Sequence, residues 1–258
     1  IDYAEVERLD ELQRPKVIVF GSSAYPRKID FKKFSGIAKN ISAYMLADIS
    51  HIAGLVATGN HASCFPWCDA AVFTTHKNFR GPRGAVIISK KEIYDKIDRA
   101  IFPTLQGGPH NNQILAKAIA FAQALNPNYK KEQDQVIKNA KVLSEELIRY
   151  GYHLYTGGTD NHLMLLDLSK SELEASEIEK KLEAVGILAN RNSLPHDDKP
   201  FKPSGIRLGT PSVTARGMKE KEMKIIAGWI DQTLKNKEKP AIIKQEVKKL
   251  ANKFIFNG

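Results

Sequence analysis

Short apolar runs alternate with helix-like stretches through the N-terminal part of the chain, and this alternation restricts the fold more than any other feature. Val17-Ile18-Val19-Phe20, Tyr44-Met45-Leu46-Ala47-Asp48, Ala70-Ala71-Val72-Phe73 and Ala85-Val86-Ile87-Ile88 have strand length, and a helical pattern over residues 31–41 separates the first two. Strands that are apolar at nearly every position are buried on both faces. The pattern therefore predicts an α/β fold with a mostly parallel sheet covered by helices on two sides. In such sheets ligands bind beyond the carboxyl ends of the strands. Polar residues follow the runs here: Ser22 and Ser23 after the first, Asp48 and His51 after the second, Thr74, Thr75, His76 and Lys77 after the third.

An alanine-rich helical pattern over residues 114–125 leads away from that sheet, and Pro127 breaks it before a second helix over residues 130–150. After Gly151 the pattern changes to the strand-like run His162-Leu163-Met164-Leu165-Leu166-Asp167-Leu168 and an amphipathic helix over residues 174–185. The runs Ile187-Leu188-Ala189 and Gly205-Ile206-Arg207-Leu208 and two closing helices follow. This predicts a division into residues 1–113 and 114–258, the second comprising a linking helix and a smaller α+β domain.

With 258 residues, 42% hydrophobic and 26% charged, the chain has ordinary globular composition and room for one large or two smaller domains. No apolar run approaches the roughly 18 residues of a membrane span, so a soluble protein is expected, and the presence of only two cysteines suggests a reducing, cytoplasmic compartment. The net charge of +10 invites a nucleic-acid reading. Lysines are densest over residues 235–253, but Glu238 and Glu246 interrupt them and Ile242, Ile243, Val247 and Leu250 recur at helical spacing. That is the pattern of a solvated helix face, and nucleic acid is not expected as a partner. Cys64 and Cys68 form a C-x3-C without the second pair that a structural zinc site needs. No metal is expected there.

Lys77 follows a buried strand and precedes Asn78-Phe79-Arg80-Gly81-Pro82-Arg83-Gly84. A lysine becomes a Schiff-base nucleophile when partial burial and nearby cations lower its pKa, and Arg80 and Arg83 are the candidate cations. A single lysine after a strand is also ordinary surface. Asp48 adds to the chemical reading, because a pyridoxal ring needs a carboxylate at its nitrogen, and His51 stands three residues on. Arg207, between Gly205 and Gly209, offers a planar fork for an α-carboxylate, although a structural ion pair fits the segment equally well. Gln106-Gly107-Gly108-Pro109 presents backbone N–H groups suited to a phosphate, or simply a turn.

Six stretches together resemble the serine hydroxymethyltransferase family of fold-type I pyridoxal-phosphate enzymes. They are GSSAYPR from Gly21, ADISHIAGLVATG from Ala47, TTHKNFRGPRG from Thr74, FPTLQGGP from Phe102, TDNHLMLLDL from Thr159 and SGIRLGTPSVTARG from Ser204. They follow the family's order along nearly the whole chain. The resemblance implies that residues 1–113 are the C-terminal part of a large cofactor-binding domain. It further implies that Lys77 forms the internal aldimine, that Asp48 pairs with the pyridine nitrogen, and that Ser23 and His51 contact cofactor or substrate. Thr74 and Arg83 would support the lysine loop, Arg207 would hold the substrate carboxylate, and Asn192 would lie near the folate. Gly108, with Gly107 beside it, would reach a phosphate in a neighbouring subunit, which implies a homodimer or homotetramer with shared sites. The implied reaction converts serine and tetrahydrofolate to glycine and 5,10-methylenetetrahydrofolate, within one-carbon metabolism and glycine biosynthesis.

Two departures accompany the resemblance. The family usually carries Pro-Asn-Asp-Pro-Lys-Ser-Pro-Phe before its carboxylate arginine, whereas this sequence has Pro195-His196-Asp197-Asp198-Lys199-Pro200-Phe201, one residue shorter. A folate-independent aldol cleavage of β-hydroxy amino acids is the alternative activity that this change suggests. The family's N-terminal third is also expected before Ile1. Without it, an edge and an apolar face of the sheet should lie uncovered, and a non-catalytic chain is the second alternative.

Overall fold

In the computed structural model, which describes residues 1–199 and 201–255, the four N-terminal apolar runs build one sheet. Its strands are β1 (Val17–Gly21), β2 (Tyr44–Asp48), β3 (Ala70–Thr74) and β4 (Ala85–Ser89), neighbours in that order. β1, β2 and β3 run parallel, and β4 returns antiparallel along β3 with Val72 opposite Ile87 and Thr74 opposite Ala85. The loop of residues 75–84 is too short for the crossover that another parallel strand requires. The sheet is thus mostly parallel, as expected.

One layer over this sheet follows directly from the pattern after β1. Asp30 accepts a hydrogen bond from the Lys33 N–H at 3.0 Å and so caps α2 (Phe31–Asn40). Phe31, Phe34, Ile37 and Ala38 fall on one face of this helix and are buried. Phe34 stacks on Phe20 of β1 with ring centroids 4.8 Å apart, and Phe31 approaches the same ring at 5.3 Å. Burying each of these aromatics contributes about 1.5–3 kcal/mol. The preceding helix, α1 (Tyr3–Gln13), buries no residue and touches α2 through Tyr3, edge-on to Phe34 at 5.2 Å.

The opposite face of the sheet is not covered along β1. Ile18 and Phe20 are buried, whereas Val17 and Val19 are 47% and 63% exposed. Register places Val17 beside Tyr44, Val19 beside Leu46, and Gly21 beside Asp48, then Val72 and Ile87, all on one face. Val17, Val19, Tyr44 and Ile87 are the exposed large apolar members of that face. Coverage on two sides was expected of the fold, and an uncovered apolar face of the sheet without the family's N-terminal third. Among the described residues β1 is covered on one side, so its outward valines meet solvent.

After β3 and β4 come α4 (Lys91–Arg99), a π-helical turn at Ala100–Leu105, α5 (Asn111–Ala124) and α6 (Pro127–Arg149); the short α3 (Ala53–Ala57) lies between β2 and β3. Two compact units emerge, one of residues 1–23 and 28–130, the other of residues 24–27 and those from 131 onward. The division thus differs from the one expected at 113/114. α5 stays with the first sheet because Ala120 is buried and Phe121 meets Phe73 at 6.3 Å and Phe79 at 5.7 Å. Residues 24–27 join the second unit through Arg27, which donates to the Thr156 carbonyl and to Asp160, and through the Tyr25 carbonyl, which accepts from Asn161 at 2.8 Å.

The second unit is built on a three-stranded antiparallel sheet in which β7 (Gly205–Gly209) lies between β5 (Leu163–Asp167) and β6 (Asn190–Asn192). The third strand starts at Asn190 rather than in the apolar run before it. Ile187 and Ala189 pack against the hydrophobic core instead, and pairing to β7 begins where Asn190 meets Arg207. α6 from residue 131 onward and four more helices, α7 (Ala175–Ala184), α8 (Pro211–Ala215), α9 (Glu220–Leu234) and α10 (Pro240–Ala251), complete the unit. Leu147, Met164, Leu166, Leu182, Ile206, Met223 and Ile230 form its fully buried centre.

These burials set opposite expectations for two truncations. Ile230→Ala, in the closed core of the second unit, is expected to cost about 2–5 kcal/mol in urea unfolding. Val19→Ser, on the open face, should change the stability of the chain alone by no more than about 0.5 kcal/mol.

Candidate active site

Because β1, β2 and β3 are parallel, the residues that follow them emerge at one edge of the sheet. Asp48 ends β2 beside Gly21, and a Cβ on Gly21 would stand 2.8 Å from the Asp48 Cβ. Glycine therefore keeps the backbone of β1 close to the carboxylate-bearing residue and leaves that side free of a side chain. Asp48 Oδ1 accepts the Ser50 N–H at 3.0 Å, and the Ser50 hydroxyl oxygen accepts the Thr74 N–H at 3.1 Å. Lys77 Nζ donates to Thr74 Oγ1 at 3.0 Å. An unbroken chain of contacts thus runs from the Asp48 carboxylate to the half-buried Lys77 amine.

The loop carrying Lys77 is held on its other side as well. Thr75 donates its hydroxyl to the Pro82 carbonyl at 2.6 Å, its N–H bonds the Gly84 carbonyl, and its own carbonyl accepts from Gly81. Asn78 is buried, and its side chain donates to the His51 carbonyl at 3.0 Å and accepts the Gly54 N–H at 3.2 Å. Tyr129, in the first turn of α6, donates its hydroxyl to the Asn78 carbonyl at 2.8 Å. The structure therefore joins Asp48, the His51 turn, Thr74 and Lys77. Ser50, Asn78 and Tyr129 complete the assembly and escaped the reading of the sequence. Tyr129 follows Asn78 by 51 positions, and no local pattern links them.

Other anticipated residues are placed less closely. Ser23 is exposed in the bend after β1. Arg83 is exposed and makes no hydrogen bond or ion pair among the described residues, and Arg80 sits over the Tyr129 ring, 6.0 Å from its centroid. Gly107 and Gly108 occupy an exposed segment before α5, where an added Cβ on either would meet nothing within 4 Å. Cys64 and Cys68 are buried free cysteines.

In the second unit, Arg207 points its Nη2 at Asn190 Oδ1, 3.2 Å away, across the β6–β7 pair. Desolvation holds its guanidinium below the usual arginine value, and it stays charged at neutral pH. Asn192 shares the face of Asn190, two positions along β6, and the two amides lie 3.4 Å apart. Sequence reasoning singled out Arg207 and Asn192 separately, and the strand pairing supplies the connection through Asn190. Gly205 permits it, because a Cβ there would lie 2.7 Å from the Asn192 carbonyl.

The shortened segment after β6 is organised by Asp197; its Pro200 lies outside the described residues. Asp197 accepts the N–H groups of Leu194 and Ser204, each at 2.8 Å, and the Ser204 hydroxyl. Burial pushes its carboxyl up, but the Ser204 hydroxyl and these N–H groups outweigh burial and hold it below the ordinary carboxylate value. A depressed folded-state pKa contributes stability that is complete above the unfolded value of about 3.9 and is lost as pH falls through the folded one. Protection of the Ser204 amide from hydrogen exchange is expected to hold down to about pH 4 and to decay below it. Asp197→Asn should abolish that acid transition.

A lysine amine, a carboxylate and hydroxyl groups at one strand edge, with a glycine beside the carboxylate, fit pyridoxal phosphate. The buried His76 Nδ1, in the residue before Lys77, has no hydrogen-bond partner among the described residues. No described helix is long and apolar enough to cross a membrane. Residues 1–230 match the family model described as serine hydroxymethyltransferase, which takes in both sheets, the Lys77 loop and Arg207. This chain belongs to the serine hydroxymethyltransferase family.

Proposed function

We propose that this chain carries the lysine, ring-nitrogen and carboxylate-binding residues of a serine hydroxymethyltransferase, acting in the cytoplasm on serine, glycine and tetrahydrofolate. The family is dependent on pyridoxal phosphate and uses tetrahydrofolate. The observation that carries the proposal is the Lys77 amine held by Thr74 on the same strand edge as Asp48. When bound, pyridoxal phosphate supplies an electron-withdrawing ring that stabilises negative charge at the substrate α-carbon.

Each residue then has a task. Lys77 provides the amine that anchors the cofactor, and Thr74 Oγ1 orients that amine. Asp48 holds the proton on the ring nitrogen, with its own carboxylate oriented by the Ser50 N–H. Ser23 and His51 would contact cofactor or substrate, and Arg83 would support the lysine loop. Arg207, oriented by Asn190, grips the α-carboxylate of serine so that the bond to be broken keeps one direction. Asn192 on the same sheet face contacts the folate. Gly107 and Gly108 serve the phosphate of a second copy. That shared role makes the assembly a homodimer or homotetramer.

Borohydride reduction of the chain incubated with pyridoxal phosphate should leave the reduced cofactor on Lys77, and Lys77→Gln should remove the adduct. Arg207→Lys is expected to raise the KM for serine about ten- to a hundredfold through loss of the bidentate fork. Serine cleavage that runs equally fast with and without tetrahydrofolate would redirect the assignment to folate-independent aldol cleavage. Absence of an adduct would leave a non-catalytic chain.

A further inference from the structure

We propose that Asn78 and Tyr129 are positioning residues that fix the Lys77 backbone against the His51 turn. The inference rests on the reading of Lys77 as the cofactor lysine and extends it to two side chains that need not touch cofactor or substrate.

A lysine side chain is long and flexible, so the reach of its amine depends on where the backbone is pinned. Thr74 contacts the amine itself, whereas Asn78 acts one residue beyond Lys77 and on a different element. An amide can donate and accept at once, and Asn78 uses both abilities: Nδ2 to the His51 carbonyl and Oδ1 from the Gly54 N–H. It thereby spans the turn that leads from His51 into α3. Aspartate offers no donor and leucine offers neither partner. With Asn78 only 6% exposed, loss of this bridge leaves the buried Gly54 N–H unpaired.

Tyr129 holds the same residue from the opposite direction. Its hydroxyl donates to the Asn78 carbonyl, and its ring stacks on Phe79 at 6.0 Å. Gly54 completes the fit, because a side chain there would collide with the Tyr129 hydroxyl and come within 3.2 Å of Asn78 Cγ. Three elements therefore converge on the residue after Lys77: the turn before α3, the lysine loop and the first turn of α6. Displacements of about 1 Å at a reacting group are costly, so a clamp at this point bears on the chemistry without taking part in it.

The test uses the full chain in two measurements. Hydrogen exchange at the Gly54 amide, without cofactor, reads the clamp. Titration with pyridoxal phosphate, followed by absorbance across a pH series and by trapping on Lys77, reads its effect on the site. Tyr129→Phe, which removes one hydroxyl and keeps the ring, should speed Gly54 exchange, weaken pyridoxal phosphate about three- to tenfold and move the pH midpoint of the Lys77-linked absorbance. Asn78→Leu should produce larger changes of the same kind. If Asn78→Leu does not fold, Tyr129→Phe alone decides. Unchanged affinity and midpoint in a folded Tyr129→Phe protein, even with a lowered melting temperature, would overturn the proposal. Should the unaltered chain fail to bind pyridoxal phosphate, the cofactor reading falls, and Gly54 exchange still decides on the clamp: faster in Tyr129→Phe supports it, unchanged overturns it.

Discussion

The parallel pairing of β1, β2 and β3 is the constraint on which the first unit depends. Parallel strands share a direction, so their carboxyl ends lie together although the residues there are far apart in sequence. Gly21, Asp48 and Thr74 become neighbours for that reason alone. The hydrogen bonds through Ser50 and Lys77 refine a proximity that the sheet has already created. A net hydrogen bond contributes about 0.5–1.5 kcal/mol, less than the burial of one aromatic such as Phe34, so the site takes its position from the core beneath it.

Strand identity was legible in the sequence because β-branched and aromatic residues form short runs bounded by polar groups. Asp48, Thr74 and Lys77 were legible because they end such runs. Which face of β1 is covered was harder to read. Val17 and Val19 are as apolar as Ile18 and Phe20, and only the packing of α2 on one side distinguishes them. The strand at Asn190–Asn192 was hidden for the opposite reason: it is polar, and it pairs because Arg207 lies across from it. The start of the second unit was obscured by α5, whose alanine-rich face suits a linker and a packed helix equally, until Phe121 shows which it is.

The candidate site was legible residue by residue but not as a network. Lysine, aspartate and arginine announce their chemistry by type. Asn78, Ser50 and Tyr129 do not, because an amide or a hydroxyl gains meaning only from what it faces. The same holds for Asp197, which reads as one charge among several in its segment yet gathers three donors and closes the loop after β6. Arg207 and Asn192 illustrate the middle case. Each was visible alone, and Asn190 was the unseen link between them.

Asp48 belongs to the same sheet face as Val17, Val19, Tyr44 and Ile87. Any layer that covers those apolar side chains also removes water from around a carboxylate. The attraction between that carboxylate and a protonated ring nitrogen then grows, since Coulomb energy varies inversely with the local dielectric. Hydrophobic association and the electrostatics of the site are thus two readings of one surface. Covering the valines would therefore tighten the hold on a ring nitrogen without altering a single residue of the site.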